Sequence, residues 1–202
     1  MPKLLLATTN QGKAREYRHL LKGLPFELVT PVEEDIDISV EEKNTSLEEN
    51  ARLKATSYAS LSHLITLADD SGLEVDALGG EPGIRSARFA GDKASDKDKV
   101  KHLLAKLKEV PWEKRAARFR CIIAIAVPTG RTELCYGECH GLITFEPKGN
   151  SGFGYDPVFY LPEFDKTMAE LPLEIKNQIS HRGRAVQKAY RMLEQLAEKV
   201  KP

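Results

Sequence analysis

Residues 4–13 of the chain read LLLATTNQGK, an apolar run followed at once by a short polar segment that contains one glycine. The apolar run Leu4 to Ala7 predicts a short buried strand. Beyond the polar segment, apolar residues recur at helical spacing across residues 14–21, while Glu16 and the arginines beside it fill the other face. The stretch therefore predicts a strand, a polar loop and a helix in sequence.

The same patterns predict further strands and helices along the chain. Ser46, followed three residues later by Glu49, forms a capping box at the start of a helix with an apolar stripe. The other predicted elements are strands at 26–30, 64–68 and 158–161, a turn at 69–72, a helix at 95–108, a hairpin or meander at 119–145, and a C-terminal helix through 185–200.

Composition and charge exclude several classes of partner. The 202 residues include 30 Lys plus Arg and 30 Asp plus Glu, so no global field favours nucleic acid or an anionic membrane, and we expect neither as a partner. No stretch approaches the roughly 18 apolar residues of a membrane span. The odd number of cysteines, Cys121, Cys135 and Cys139, indicates a reducing compartment, and we expect a cytoplasmic protein.

The polar segment after the first strand has the composition of a polyphosphate-binding loop. The first N–H groups of a helix point at the preceding loop and attract anions. Two hydroxyls, an amide, a glycine that permits close backbone approach and a lysine suit phosphate oxygens, although the segment is not a Walker A loop. The alternative is a plain strand-to-helix turn with Thr9 or Asn10 as the cap. The candidate phosphate-binding residues are Thr8, Thr9, Asn10, Gln11, Gly12 and Lys13.

Acidic residues at two places form a candidate metal site. Consecutive side chains of an extended backbone point to opposite faces, so only one of Asp69 and Asp70 can enter a given cleft. One of these carboxylates and one from Glu41 or Glu42 could hold Mg²⁺, which takes few protein oxygens. The alternative is a turn at residues 69–72 and a solvated charge run upstream.

Residues 152–156 read GFGYD, a glycine-rich loop with two aromatic side chains. The glycines on both sides of Phe153 free an aromatic face to stack on a flat ligand such as a nucleobase. Asp156 could accept a hydrogen bond from a base N–H group. The alternative is a tight loop whose aromatic side chains fill the core.

A donor-rich cluster lies at the start of the C-terminal helix. Lys176, His181 and Arg182 could bind phosphate or read a carbonyl oxygen. Basic residues near a helix start oppose the macrodipole and call for a specific explanation. The alternative is a solvated basic face.

Read together, these segments resemble the noncanonical purine nucleoside triphosphate pyrophosphatases, the inosine/xanthosine triphosphatase family. The resemblance covers nearly the whole chain and departs at Thr9, where several relatives have glycine. The segments that carry it, in order, are 6–13, 46–51, 68–73, 78–84 with 86–88, 152–157 and 179–183.

The resemblance implies a mixed α/β fold with an elongated central sheet flanked by helices, in which residues 1–202 form a single domain with two lobes and an active-site cleft between them. It also implies a homodimer that hydrolyses ITP, dITP and XTP to the monophosphate and pyrophosphate with Mg²⁺. Two alternatives stay open: a related pyrophosphatase for other modified nucleotides, and a non-catalytic nucleotide-binding module.

The resemblance also implies a role for each matching residue. Asp70 would be the general base and a metal ligand, with Glu41, rather than Glu42, as the second carboxylate, and Ser71 would contact the substrate. The segment from Thr8 to Lys13 would bind the triphosphate. The base pocket would be lined by Phe153, Gly154, Tyr155 and Asp156 and completed by Lys176, His181 and Arg182.

Overall fold

A computed structural model describes residues 1–38, 40 and 46–199. The strands are β1 Lys3–Leu6, β2 Glu27–Val29, β3 Ile65–Val75, β4 Pro82–Gly83, β5 Ala116–Ala126, β6 Thr132–Ile143, β7 Phe159–Leu161 and β8 Lys166–Thr167. The helices are α1 Gln11–Leu20, α2 Leu47–Ser62, α3 Asp96–Lys106, α4 Leu173–Ile179 and α5 His181–Lys199. No helix in these ranges is both long and apolar enough to cross a membrane.

The eight strands form one mixed sheet, and the predicted α/β class is confirmed. Its order is β2-β1-β3-β5-β6-β7-β8, with β4 paired to β3. Strand β1 runs parallel to β2 and to β3. The pairs β3–β4, β6–β7 and β7–β8 are antiparallel. Helix α1 connects β1 to β2 and helix α2 connects β2 to β3, and a parallel connection needs such a crossover.

The chain divides into two compact units, each with its own core. The first unit consists of residues 1–70, 121–137 and 182–202, and β1, β5 and the apolar face of α5 supply much of its core. The second unit consists of residues 71–120 and 138–181, with a core built around α3, β5, β6 and β7. The prediction that residues 1–202 form a single two-lobed domain stays a prediction.

The helix predicted from the capping box is α2. The Ser46 hydroxyl accepts a hydrogen bond from the backbone N–H of Glu49 at 3.1 Å, which satisfies one of the free donors of the first turn. The apolar stripe of this helix is buried, as its spacing predicts. Its members are Leu47, Ala51, Ala55, Tyr58 and Ala59.

The turn predicted at residues 69–72 is wrong, because these residues lie inside the continuous strand β3. Gly72 is needed in this strand for a steric reason. A Cβ atom at Gly72 would lie 2.4 Å from the carbonyl oxygen of Gly83, and β4 pairs with β3 at this point. The glycine therefore permits a close backbone approach within the sheet and does not end the strand.

Candidate active site

The predicted phosphate-binding segment connects β1 to α1, and the helix begins earlier than predicted. Asn10 is the N-cap, and its side-chain oxygen accepts a hydrogen bond from the backbone N–H of Lys13 at 3.0 Å. Gln11, Gly12 and Lys13 thus lie in the first turn of α1. Thr9 is exposed. The segment is a helix start with accessible polar groups, a geometry that suits an anion.

Lys13 makes an ion pair in the first unit. Its Nζ lies 2.9 Å from Oδ1 of Asp69 and is only partly exposed. The second oxygen of the same carboxylate lies 3.4 Å from a terminal nitrogen of Arg182. Asp69 therefore joins α1 to the start of α5 within this unit.

Arg182 is itself held by a second carboxylate. Its other terminal nitrogen donates to Oε2 of Glu16 at 2.6 Å, and its guanidinium carbon lies 5.7 Å from the centre of the Tyr17 ring. Arg182 and Glu16 are both buried. The periodicity of α1 predicts Glu16 on the outer face, so sequence reasoning missed this residue. Nothing in the pattern of α1 reveals it, because its partner lies 166 residues away.

Burial and neighbouring charges shift the pKa values of Asp69 and Arg182 in opposite directions. Burial raises the pKa of the Asp69 carboxyl, but the positive charges of Lys13, Arg182 and Lys54 outweigh it and hold that pKa well below its usual range. Burial lowers the pKa of the Arg182 guanidinium, and the carboxylates of Glu16 and Asp69 more than reverse this. Asp69 and Arg182 are therefore both charged at neutral pH.

Asp70 faces a different set of partners. Its Oδ2 accepts a hydrogen bond from the side-chain amide of Asn50 at 3.0 Å, and its Oδ1 lies 3.9 Å from Nζ of Lys54. Lys54 also donates to the backbone carbonyl of Asp69 at 2.8 Å. The partners of Asp69 and Asp70 differ, as the alternation of strand side chains predicts. Sequence reasoning missed Asn50 and Lys54, which lie one helical turn apart on α2.

Asp70 fits the part of a magnesium ligand. Its carboxylate is a hard donor with a side chain 12% exposed, and Mg²⁺ is commonly bound through one or two carboxylates plus substrate phosphates. Among residues 1–38, 40 and 46–199, no group of three or more His, Cys, Asp or Glu side chains could hold a metal ion. The predicted second ligand, Glu41, and its alternative Glu42 lie outside the described residues.

In the second unit, Asp156 closes the glycine-rich loop. Its Oδ2 accepts hydrogen bonds from the backbone N–H of Phe153 at 2.8 Å and from Nζ of Lys176 at 2.5 Å. The same Nζ lies 5.1 Å from the centre of the Phe153 ring. A Cβ atom at Gly152 would collide with this carboxylate, so the loop requires glycine there. Lys176, Asp156 and Phe153 therefore form one local group.

The two aromatic residues of the loop have different environments. Tyr155 is buried, and its hydroxyl donates to the backbone carbonyl of Ser86 at 2.8 Å. Burial, helped by the charge of Asp96, raises the pKa of this hydroxyl. Phe153 is only partly buried. The core-filling alternative thus describes Tyr155, whereas Phe153 is not fully buried.

The remaining predicted residues lie in defined places. His181 is buried in the second unit, and its ring stacks on Phe119 with centroids 4.6 Å apart. Ser71 is partly buried in β3. Lys176, His181 and Arg182 are each almost fully buried, so the alternative of a solvated basic face is wrong.

The chain is similar to proteins of one family along nearly its whole length. A family model described as the Ham1 family matches residues 4–192. A protein of Geobacter sulfurreducens named dITP/XTP pyrophosphatase is 51% identical over 187 residues, which is 92% of this chain and 94% of that protein. A protein of the same name from Desulforamulus reducens is 50% identical over 194 residues and 96% of each chain.

Solved structures of Ham1 proteins are also similar to this chain along nearly its whole length. A Ham1 protein from Staphylococcus aureus is 41% identical, with a TM-score of 0.85 over 96% of this chain and 99% of that chain. A Ham1 protein from Coxiella burnetii is 37% identical, with a TM-score of 0.86 over 96% of this chain and 100% of that chain.

Proposed function

This chain belongs to the Ham1 family, and we propose that it hydrolyses ITP, dITP and XTP to the nucleoside monophosphate and pyrophosphate, which removes noncanonical purine nucleotides from the nucleotide pool. The names of its relatives support this reaction. The observation that carries the proposal is the placement of Asp70, a largely buried carboxylate with 12% of its side chain exposed, oriented by Asn50 with a lysine nearby. Such a carboxylate can accept a proton from water.

The first unit supplies the proposed triphosphate contacts. The backbone N–H groups at the start of α1 and the hydroxyls before it can donate to phosphate oxygens. Lys13 and Lys54 place positive charge beside Asp69 and Asp70, where the charge of a departing pyrophosphate would be stabilised. The proposed triphosphate-binding residues are Thr8, Thr9, Asn10, Gln11, Gly12 and Lys13.

Asp70 is the proposed general base and, with Glu41, the proposed magnesium ligand. When bound, Mg²⁺ neutralises phosphate charge and makes water more acidic. The hydrogen bond from Asn50 fixes the orientation of the Asp70 carboxylate. Asp70 then takes the proton of the attacking water as the bond to the α-phosphorus forms and pyrophosphate leaves.

The second unit supplies the proposed base contacts. Phe153 stacks on the purine, and the donors Lys176 and His181 favour a carbonyl oxygen at C6, which hypoxanthine and xanthine carry. Adenine has an amino group there, and the mismatch with buried donors costs on the order of a few kcal/mol. The other proposed substrate contacts are Ser71, Gly154, Tyr155, Asp156 and Arg182.

Arg182 has two partners already, because its terminal nitrogens bind Glu16 and Asp69. The resemblance implies that Arg182 also contacts the substrate, and we propose this role for it. Its bond to Asp69 also stabilises the strand residue immediately before Asp70.

A homodimer in the cytoplasm is also part of the proposal. It rests on the resemblance and on the odd number of cysteines. Light scattering coupled to size-exclusion chromatography would measure the mass of the assembly directly. We expect twice the 22.5 kDa of the chain.

The experiment that tests the reaction measures pyrophosphate and phosphate release from ITP, dITP, XTP, GTP and ATP, with and without Mg²⁺. We expect Mg²⁺-dependent pyrophosphate release mainly from ITP, dITP and XTP. Release from other modified nucleotides instead would favour a related pyrophosphatase, whereas nucleotide binding without turnover would favour a binding module. Orthophosphate as the product would contradict the proposed cleavage at the α-phosphorus.

A further inference from the structure

The loop that carries Phe153 is held by a side chain from α3. The backbone N–H of Gly154 donates to Oδ2 of Asp96 at 2.7 Å, across a separation of 58 residues. We propose that Asp96 is a positioning residue for base recognition, which fixes this loop so that Phe153 presents its ring to the purine. The inference rests on the proposed function, which assigns Phe153 and Asp156 to the base.

Two successive backbone N–H groups of the loop are restrained by carboxylates. Asp156, inside the loop, accepts from Phe153, and Asp96, outside it, accepts from Gly154. Gly154 has a positive φ of 63°, and a Cβ atom there would meet nothing within 4 Å. Because glycine is the most conformationally free residue, an external hydrogen bond at this position restricts the conformations of the loop.

Asp96 is itself well placed to hold a loop. It is the first residue of α3, after the N-cap Ser95, and its Oδ1 lies 2.6 Å from Nζ of Lys99. Burial raises the pKa of the Asp96 carboxyl, but the hydrogen bonds from Lys99 and from Gly154 outweigh burial and lower it. The group is therefore an anion at neutral pH, and a hydrogen bond to an anion is stronger than one between neutral groups.

The same helical turn offers a matched control. Asp98 is also an acidic residue of the first turn of α3, and its Oδ2 accepts from the backbone N–H and the hydroxyl of Ser95. It is half of a capping box. Loss of Asp98 therefore weakens the helix start, whereas loss of Asp96 also releases Gly154.

The test compares the full-length wild type with Asp96→Ala, Asp96→Asn and Asp98→Ala. Three readouts are KM and kcat for ITP with Mg²⁺, the Kd for ITP without Mg²⁺, and amide hydrogen exchange in peptides covering residues 150–157. For Asp96→Ala we expect KM and Kd to rise roughly three- to tenfold with kcat nearly unchanged, and faster exchange in the loop. Asp96→Asn keeps a carbonyl acceptor and should lie between wild type and Asp96→Ala. Asp98→Ala should keep wild-type KM, Kd and loop exchange.

Two results would separate the failure of this inference from failure of the proposed function. If Asp96→Ala matched Asp98→Ala in KM, Kd and loop exchange while the wild type hydrolysed ITP, the positioning role would be overturned and the function would stand. If the wild type bound ITP without turnover, the proposed reaction would fail. The Kd of Asp96→Ala would then still decide the positioning role, because an unchanged Kd would overturn it.

Discussion

The side-chain amide of Asn50 on α2 donates a hydrogen bond to Oδ2 of Asp70 on β3 at 3.0 Å, and both residues are buried. The capped start of α2 thus determines how one carboxylate in the middle of a strand is oriented. Lys54, one turn further along α2, approaches the other oxygen of the same carboxylate. One helix therefore sets both the geometry and the electrostatic environment of the proposed general base.

Replacement of Asp70, the proposed general base, gives the first prediction. Asp70→Asn should abolish turnover of ITP and leave the melting temperature close to that of the wild type, because an amide keeps the shape of the side chain but does not accept the proton. Pyrophosphate release and circular dichroism would measure the two effects. Asp92→Asn, an exposed acidic position, serves as the control. Full activity of Asp70→Asn with normal Mg²⁺ dependence would remove Asp70 from this role.

Loss of the stacking ring gives a second prediction. Phe153→Ala should weaken ITP binding by roughly 1–3 kcal/mol, the usual contribution of a base stacked on an aromatic side chain. The Kd and KM for ITP would measure this. Phe145→Ala is a suitable control, because Phe145 is an exposed aromatic residue of the same unit and packs near Trp112. Unchanged Kd and KM in Phe153→Ala would make the ring a structural element.

Alanine substitutions at two glycines of the same loop distinguish the effect of backbone strain from that of a steric collision. Gly152 and Gly154 both have positive φ, so alanine costs roughly 1–2 kcal/mol of conformational energy at either position. Only at Gly152 would the new Cβ atom collide with the carboxylate of Asp156. We therefore expect Gly152→Ala to raise the KM for ITP well above that of Gly154→Ala. Equal KM values would show that Asp156 is not needed in its present position.

The ionised state of Asp69 predicts how stability depends on pH. Its pKa in the folded chain lies below the ordinary value of about 3.9, so its contribution to the free energy of unfolding is complete above that value. The contribution is lost as the pH falls through the folded pKa. Urea unfolding at a series of pH values from about 5 to about 2.5 should show a steeper loss in the wild type than in Asp69→Asn. The same pH dependence of the free energy of unfolding in the wild type and in Asp69→Asn would contradict this prediction.

Cys121 should be chemically inert in the folded chain. Burial, together with the charge of Asp69, raises the pKa of its thiol to about 12. The thiolate is the reactive form, so iodoacetamide at mildly alkaline pH should modify Cys121 in urea but not under native conditions. Mass spectrometry of the peptide that contains Cys121 would measure the difference. Rapid modification of the folded protein would show that this residue is accessible.

Local patterns predicted the elements that depend on nearby residues. The capping box at Ser46 and the apolar stripe behind it gave α2, because both signals lie within a few turns of one helix. The hairpin at residues 119–145 was found in the same way, as β5, a short turn and β6. Gly137 and Gly141 predict breaks in the second strand of this hairpin, but β6 runs through both.

Two errors have a common physical cause, which is the influence of residues distant in sequence. Asp, Ser and Gly at residues 69–72 suit the backbone of a turn and predict one there, whereas the close approach of the Gly83 backbone requires glycine at position 72 within the strand. The helical spacing of α1 predicts Glu16 on the outer face, whereas the charge of Arg182, distant in sequence, makes its burial favourable. The local pattern of α2 likewise does not predict that Asn50 and Lys54 contact Asp70, because Asp70 lies on a different element.

The first unit is assembled from three separate stretches of sequence, and this has a consequence for biosynthesis. Its core joins Leu4 and Leu6 of β1 to Ala189 and Leu193 of α5. Until α5 emerges from the ribosome, the apolar side of the strands that it covers stays open to water. We therefore expect this core to close only after α5 has been synthesised, and a chain truncated before α5 to be aggregation-prone and protease-sensitive.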